Sequence, residues 1–446
     1  MISRGRDTYG TERSPLFASA LDRKTMKIGS FGSIPGVRNG DRSPRGANPQ
    51  TSAGLYAVLY RLTQVTGEAT YTEEADRALE FFFTHCQSPQ TGLMAWGEHL
   101  YWDFTTEGPA AGRDTHEILG EWAYWGQCYR LAPDACWRFA LGLWDHQIAD
   151  KQTGDFSRHA HWSRHGPGRG ADFPRYVGQM IATWADAYQR PENAHRKRRP
   201  ELPIAIRCLV ARMERNMAAS ESGHLPAGTD SGHRQIAWPR SNLELARCLW
   251  EAAPAVDDNL ARRMRELALR QDVHFHQLPH EIKSGGGFVA TIDSRTGRPR
   301  SRAMNRPYTS LWASGYGYGT HADMASCCNA RLRQLRDSHP NLAANYRRQI
   351  LAAADQYVHA TLDVDDLHKP GELASVIQLL LSAEELSGED VYLTRTHAYA
   401  RQSIALFLSD DLPLPRATNR HDHYETITGS PALMNALLQL HERSKR

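Results

Sequence analysis

The feature that most constrains this chain is a repeating unit of helix, helix and long loop. GLYAVLYRLTQVTG (54–67) carries apolar residues at helical spacing and stops on a glycine. TYTEEADRALEFFFTHC (70–86) reads as its partner, with Thr72 as cap and Glu74 and Asp76 in the first turn. THEILGEWAYWGQCYRL (115–131) and PDACWRFALGLWDHQIA (133–149) form the next pair, with Pro133 where a helix starts. Each second helix leads into a loop with a related opening: SPQTGLMAWGEH (88–99), DKQTGDFSRHAH (150–161) and ASESGHLPAGTD (219–230). Gly92 and Gly154 stand 62 residues apart, and Gly154 and Gly223 stand 69 apart. Further pairs follow to PALMNALLQLHERS, about thirteen helices in all, with strand-like character only near KSGGGFVATID (283–293).

A helical hairpin cannot bury its apolar face alone, so such units stack into an open solenoid or close into a ring. The period is longer than the roughly 34 to 47 residues of open helical repeats, and the chemically loaded loops recur on one side of each hairpin. The expected fold is therefore all-α, an (α/α) toroid of six or seven helical hairpins whose long loops form one cleft. Residues 1–48 are expected to be an N-terminal loop segment packed on the toroid, and 49–446 a single toroid domain.

Composition narrows the function. Of 446 residues, 41% are hydrophobic and 23% charged, which describes a globular chain with a real core. A net charge of +3 is too weak a bias for a nucleic-acid partner, and no eighteen-residue apolar run offers a membrane span. Seven cysteines without a CxxC pair fit neither a disulfide framework nor a zinc ribbon, so they are expected as free thiols. The opening MISRGRDTYG lacks the apolar stretch of a signal peptide, which implies a cytoplasmic protein, or a secreted or periplasmic one if a signal has been removed.

Four loops carry the chemistry. GLMAWGEHLYWDF (92–104) offers Trp96 to stack on a sugar ring and His99 and Glu98 to bond its hydroxyls. SRHAHWSRHGPGRGADFPR (157–175) holds His159, His161 and His165 among Arg158, Arg164, Arg169 and Arg175. Its HxH spacing invites a metal, but no carboxylate or cysteine sits at a matching distance in sequence and the arginines would repel a cation. Guanidinium groups instead suit a carboxylate ligand. GHLPAGTDSGHRQIAWPRSN (223–242) supplies His233 as a base, with Arg234 and Asn242 beside it. DSRTGRPRSRAMNRPYTSLWASGYGYGTHAD (293–323) places Tyr308 among Arg302, Asn305 and Arg306, where cations would stabilise a phenolate. The pairs HFH (274–276) and HDH (421–423) are expected to be incidental.

Arginines, histidines and an exposed tyrosine around an aromatic-lined cleft fit β-elimination on a uronate polymer. That reaction neutralises the C5 carboxylate, removes the C5 proton and protonates the departing O4. A glycosidase would need two cleft carboxylates, whereas these loops offer mainly cations. RDTYGTERSPLFASALD (6–22), SPQTGLMAWGEHLYWDF (88–104), the run from SRHAHWSRH to FPRYVGQMIATWADAY (157–188) and RPYTSLWASGYGYGT (306–320) resemble the (α/α)-toroid polysaccharide lyases that act on glucuronan and alginate. In those enzymes an Asn or His neutralises the carboxylate, and a His and a Tyr share proton transfer, with an Arg shortly before the Tyr. The resemblance implies Tyr308 with Arg302 upstream, His233 as the histidine, and His161 as neutraliser where relatives carry Asn. The loops themselves supply the expected substrate wall of Trp96, His99, Arg164, His165, Arg175, Arg234, Asn242 and Arg306. The expected partner is an anionic β-1,4-linked polysaccharide or oligosaccharide, with no cofactor and no metal. A sugar epimerase, an unsaturated-uronide hydrolase and a non-catalytic carbohydrate-binding scaffold are the alternatives.

Overall fold

The computed structural model describes residues 1–190, 200–302, 306–313, 319–408 and 411–445. Asn305 and most of the glycine-aromatic turn, including Tyr316 and Tyr318, lie outside them. Among the described residues thirteen α-helices follow one another: α1 Ala53–Thr66, α2 Thr70–His85, α3 Trp125–Leu131, α4 Pro133–Gly142, α5 Pro174–Gln189, α6 Glu201–Ala218, α7 Pro239–Ala252, α8 Asp258–Gln277, α9 His321–Leu335, α10 Pro340–His359, α11 Pro370–Ser387, α12 Asp390–Phe407 and α13 Ser430–Ser444. Helices α5, α7, α9, α11 and α13 pack in succession as an inner ring, and α13 returns against α1. The even-numbered helices form an outer layer, each against its odd partner. The protein is an (α/α) toroid. None of the described helices is long and apolar enough to cross a membrane.

Local chemistry explains the helix ends. Proline opens α4, α5, α7, α10, α11 and α13, where its missing N–H costs nothing. Thr320 and Asp323 form a reciprocal capping box on α9. Thr72, expected as a cap, lies inside α2, which starts at Thr70 and has no side-chain cap. Gly92, Gly154 and Gly223 all have φ between 71° and 75°, the left-handed region. Gly297 joins them at 70°, in the related turn DSRTG. At Gly92 a Cβ would come within 2.6 Å of the Arg138 carbonyl oxygen, so the loop opening admits no side chain there. The seven cysteines are free thiols.

Two sequence expectations are corrected. The segment from 115 is not helical until Trp125; Thr115–His116 is instead a short strand, β5. The helix from Pro133 ends at Gly142, passes through a π-turn at Leu143–Gln147 and becomes the strand Ile148–Asp150.

The ring is sealed where the N-terminal segment meets the end of the chain. Strand β1 (Ala20–Asp22) pairs antiparallel with β11 (His423–Glu425). Arg42 donates from Nε and Nη2 to the two carboxylate oxygens of Glu425, both at 2.7 Å, with both side chains buried. His423 lies 2.8 Å from the same carboxylate and stacks on Phe31 at 4.4 Å, which gives the second histidine of HDH a structural place at the seam. Burial raises the Glu425 carboxyl, but hydrogen bonds from His423 and Arg42 outweigh it and hold the group below the usual carboxylate range. Its folded value being the lower one, this clasp stabilises the fold above the ordinary carboxylate range, and that contribution fades as pH falls through the folded value. Glu425→Ala leaves Arg42 buried without its partner and should destabilise the protein by about 3–5 kcal/mol, read from urea unfolding at neutral pH. The difference from the parent should shrink as the unfolding is repeated in acid.

Candidate active site

The loops that precede the inner helices surround a cleft of about 910 Å³ at the N-terminal end of the ring. It is lined by residues at or near the starts of five inner helices, among them Phe173 and Arg175, Trp238 and Arg240, Thr320 and Asp323, Lys369 and Gly371, and Thr428 and Gly429. Four of these helices, α5, α7, α11 and α13, have no side-chain cap, so their positive dipole ends face the cleft, that of α11 with Glu372 in its first turn. The N-terminal segment adds Gly36, Val37, Arg38 and Asp41 to the wall.

One side of the cleft is organised by Glu117, whose side chain is fully buried. β5 pairs antiparallel with β8 (Ala160–His161), with Thr115 opposite His161 and His116 opposite Ala160. Continuing that register sets Glu117 opposite His159. His159 Nε2 and His99 Nε2 lie 2.7 and 3.1 Å from Glu117 Oε2, and Arg158 donates to Oε1 at 2.7 Å. The buried Tyr176 hydroxyl, from α5, also donates to Oε1. Burial disfavours the ionised Glu117, but hydrogen bonds from His159 and His99 and the Arg158 charge outweigh it and hold the carboxyl well below its ordinary range. The Asp41 and Glu117 carboxylates push His99 up to about 9. Beside them burial, then the Glu117 charge, raises Glu98, which lies 3.6 Å from Arg158.

His99, Glu117 and His159 bring one ligand atom each within 4.8 Å of one another. Both histidines turn Nδ1 outward to an acceptor: His159 to the Arg169 carbonyl, His99 to Asp41 Oδ1 at 3.2 Å. With Nδ1 directed to those acceptors, it is Nε2 of each ring that points at Glu117, donating to it as the cluster stands and, once its hydrogen is lost, free to ligate a cation there, the arrangement that metal-binding imidazoles use. Two imidazoles and one carboxylate fit a divalent first-row cation with open positions. This corrects the expectation that no carboxylate would complete a site around His159: Glu117 lies 42 residues upstream and arrives by strand pairing.

The residues expected from sequence separate into three groups. His99, Arg175, His233, Arg306 and Tyr308 reach the site, His99 in the Glu117 cluster and the other four in the cleft lining. His233 turns Nδ1 to Asp230 at 3.0 Å and packs on Phe173 and Trp238, and Phe173 also carries the Arg158 guanidinium 5.0 Å above its ring. Tyr308 donates to Glu281 at 3.0 Å; burial and then Glu281 raise its pKa, so the expectation of a stabilised phenolate is corrected to that of a firmly protonated phenol. His161, Arg164 and His165 stand apart from the cleft lining. His161 pairs with Asp114 at 3.1 Å, Arg164 reaches back to His161, and His165 contacts His146. The register is the reason: His161 lies across from Thr115, two residues before Glu117 on the paired strand. Arg234 is exposed outside the lining, Asn242 is buried on α7 with its amide near the Leu225 carbonyl, and Arg302 is half-buried outside the lining.

Trp96 is a second correction. It is 0% exposed, packed among Phe82, Phe83, Trp122 and Phe139, and cannot stack on a ligand. The residues missed from sequence are Glu117, hidden in a segment read as helix, and Asp41, in the N-terminal segment.

Residues 14–177 match the family described as Periplasmic pectate lyase. That stretch holds Asp41, Glu98, His99, Glu117, Arg158, His159, Arg175 and Tyr176. Over 110 residues the chain is 24% identical to the pectate disaccharide-lyase of Dickeya dadantii (strain 3937); the match covers 24% of this chain and about a fifth, 20%, of that protein. Among solved structures, a D-mannose isomerase aligns with a TM-score of 0.49 at 9% identity, over 99% of this chain and 94% of that one. A sugar epimerase from a ruminal bacterium aligns at 0.47 and 10% identity over 99% and 93%. An α-1,6-mannanase of Salegentibacter sp. HEL1_6 aligns at 0.46 and 11% over 94% and 96%.

Truncating the indole, Trp96→Ala, should lower stability by about 3–5 kcal/mol in urea unfolding, the cost of an aromatic core cavity. Arg164→Ala, on the exposed outer loop, should change it by no more than about 0.5 kcal/mol.

Proposed function

We propose that the protein is a polysaccharide lyase that cleaves a 1,4-linked polyuronate by β-elimination. The observation that carries this reading is the His99–Glu117–His159–Arg158 cluster at the wall of a cleft toward which inner-helix N-termini converge. The cleft adds Arg175, Arg240, Arg306 and Lys369 alongside the carboxylates Glu98, Glu244, Asp323 and Glu372, and its guanidinium groups suit a polymer bearing one carboxylate per sugar. The match to a pectate lyase family over the segment holding this cluster supports the reading. It moves polygalacturonate ahead of glucuronan and alginate as the first substrate, and a periplasmic or secreted location belongs to the same proposal.

A divalent cation held by His99, Glu117 and His159 would supply charge neutralisation of the substrate's C5 carboxylate, and so acidify the C5 proton. Arg158, fixed by Glu117, adds a guanidinium to the same carboxylate. His233, its ring oriented through Nδ1 by Asp230, accepts the C5 proton at Nε2. The electron pair left at C5 forms the C4–C5 double bond as the C4–O4 bond breaks, and Tyr308, kept protonated, gives its proton to O4.

Incubation with polygalacturonate, alginate and glucuronan, followed by the ultraviolet absorbance of the unsaturated uronate, tests the proposal. Absorbance should rise with at least one polymer, stop on chelation and return with manganese. His233→Ala and Tyr308→Phe should each lower kcat by about 10²–10⁴-fold, the range for losing a proton-transfer group. A folded, manganese-loaded protein that produces no absorbance from any of the three overturns it.

A further inference from the structure

His159 and His99 are oriented by different means. The Nδ1 of His159 meets a backbone carbonyl of its own loop, that of Arg169. The Nδ1 of His99 meets a carboxylate carried on a separate segment: Asp41, at the end of the 3-10 turn Asn39–Asp41. Asp41 is buried, and its Oδ1 forms no hydrogen bond; it meets His99 Nδ1 as an ion-pair contact at 3.2 Å. The next residue, Arg42, is the one clamped by Glu425 in β11, and Arg113 donates to the carbonyls of both Arg42 and His99, at 3.2 and 3.4 Å. The backbone of the segment is thus tied both to the seam of the ring and to the loop bearing His99. These contacts set the position of Asp41 independently of its own side chain.

We propose that Asp41 is the positioning residue of the cation site: it accepts the Nδ1 hydrogen of His99, so that Nε2 is the ligand atom turned toward Glu117 and His159. A carboxylate in this place fixes the tautomer and increases the basicity of the ligating nitrogen. The inference rests on the cation site proposed above.

A competing arrangement exists on the same residues. Asp41, Glu98 and His99 also bring ligand atoms within 4.8 Å of one another, using the opposite ring nitrogen. A cation there would take Nδ1 and leave the hydrogen on Nε2. The two seats share His99 and demand opposite tautomers. Glu117, with two histidines and Arg158 already converging on it, favours the first seat.

The experiment has two arms. Manganese titration by calorimetry compares the parent with Asp41→Ala, Asp41→Asn and Glu117→Gln, all checked for folding by thermal melting without metal. Asp41→Ala should bind about 10–100-fold more weakly. Asp41→Asn, whose side-chain oxygen still accepts from Nδ1, should recover most of that loss. In the second arm, nitrogen-15 spectra of the histidine rings in the zinc-loaded parent protein should show His99 with hydrogen on Nδ1 and metal on Nε2; this arm decides the matter even where Asp41→Ala does not fold. Equal manganese affinity in Asp41→Ala and the parent, or zinc on Nδ1 of His99, overturns the proposal and leaves the lyase reading standing. A parent that binds manganese no better than Glu117→Gln removes the cation site itself, and this inference with it.

Discussion

The site depends on one ionised carboxylate held out of water. Moving a carboxylate into a protein interior costs several kcal/mol unless its oxygens are filled, and Glu117 fills them with two imidazoles, a guanidinium and a phenol. These four come from the loop after α2, the loop after α4 and the first turn of α5. Glu117 is therefore a fastener as much as a functional group, holding against the inner ring two long loops whose only regular structure is a few strands of two or three residues. Because every partner is a donor or a cation, the cluster stays together only while Glu117 carries its charge.

The second constraint is closure of the ring. A toroid has no free edge once its last inner helix meets its first, and here α13 lies against α1 with β1 and β11 paired over the junction. The Arg42–Glu425 pair sits at that seam and is buried on both sides. The segment that closes the ring also supplies Arg38 and Asp41 to the cleft wall. Architecture and chemistry thus share one short stretch of chain, and damage to the seam reaches the site through the backbone between Asp41 and Arg42.

The architecture was legible in the sequence because helical periodicity, proline starts and glycine stops are local signals, repeated often enough to reveal the unit. The loop glycines at 92, 154 and 223 marked true left-handed turns for the same reason. The site was only half legible. The segments carrying His99, Arg158, His159 and His233 stood out by composition, but which histidine of HAH faces Glu117 depends on the register of a two-residue strand pair, too short to leave a periodic signature. Glu117 itself lies in THEILGEWAYWG, whose spacing imitates a helix until Trp125. Trp96 was misread because an aromatic in a glycine-flanked loop carries no mark of its depth; only the packing of Phe82, Phe83 and Phe139 around it decides that.

The inner-helix ends that face the cleft have a consequence for how selectivity can be distributed. A field built from peptide dipoles is smooth and takes no account of stereochemistry, so it draws in any polyanion of suitable width. On the lyase reading proposed above, discrimination between uronates that differ at a single carbon would then fall to short-range groups on the loops, such as Arg158, His233 and Tyr308. Loops are the segments most tolerant of change. On that same reading, a scaffold of this kind could exchange one acidic polymer for another by altering a few loop side chains, while the ring beneath them remains as it is.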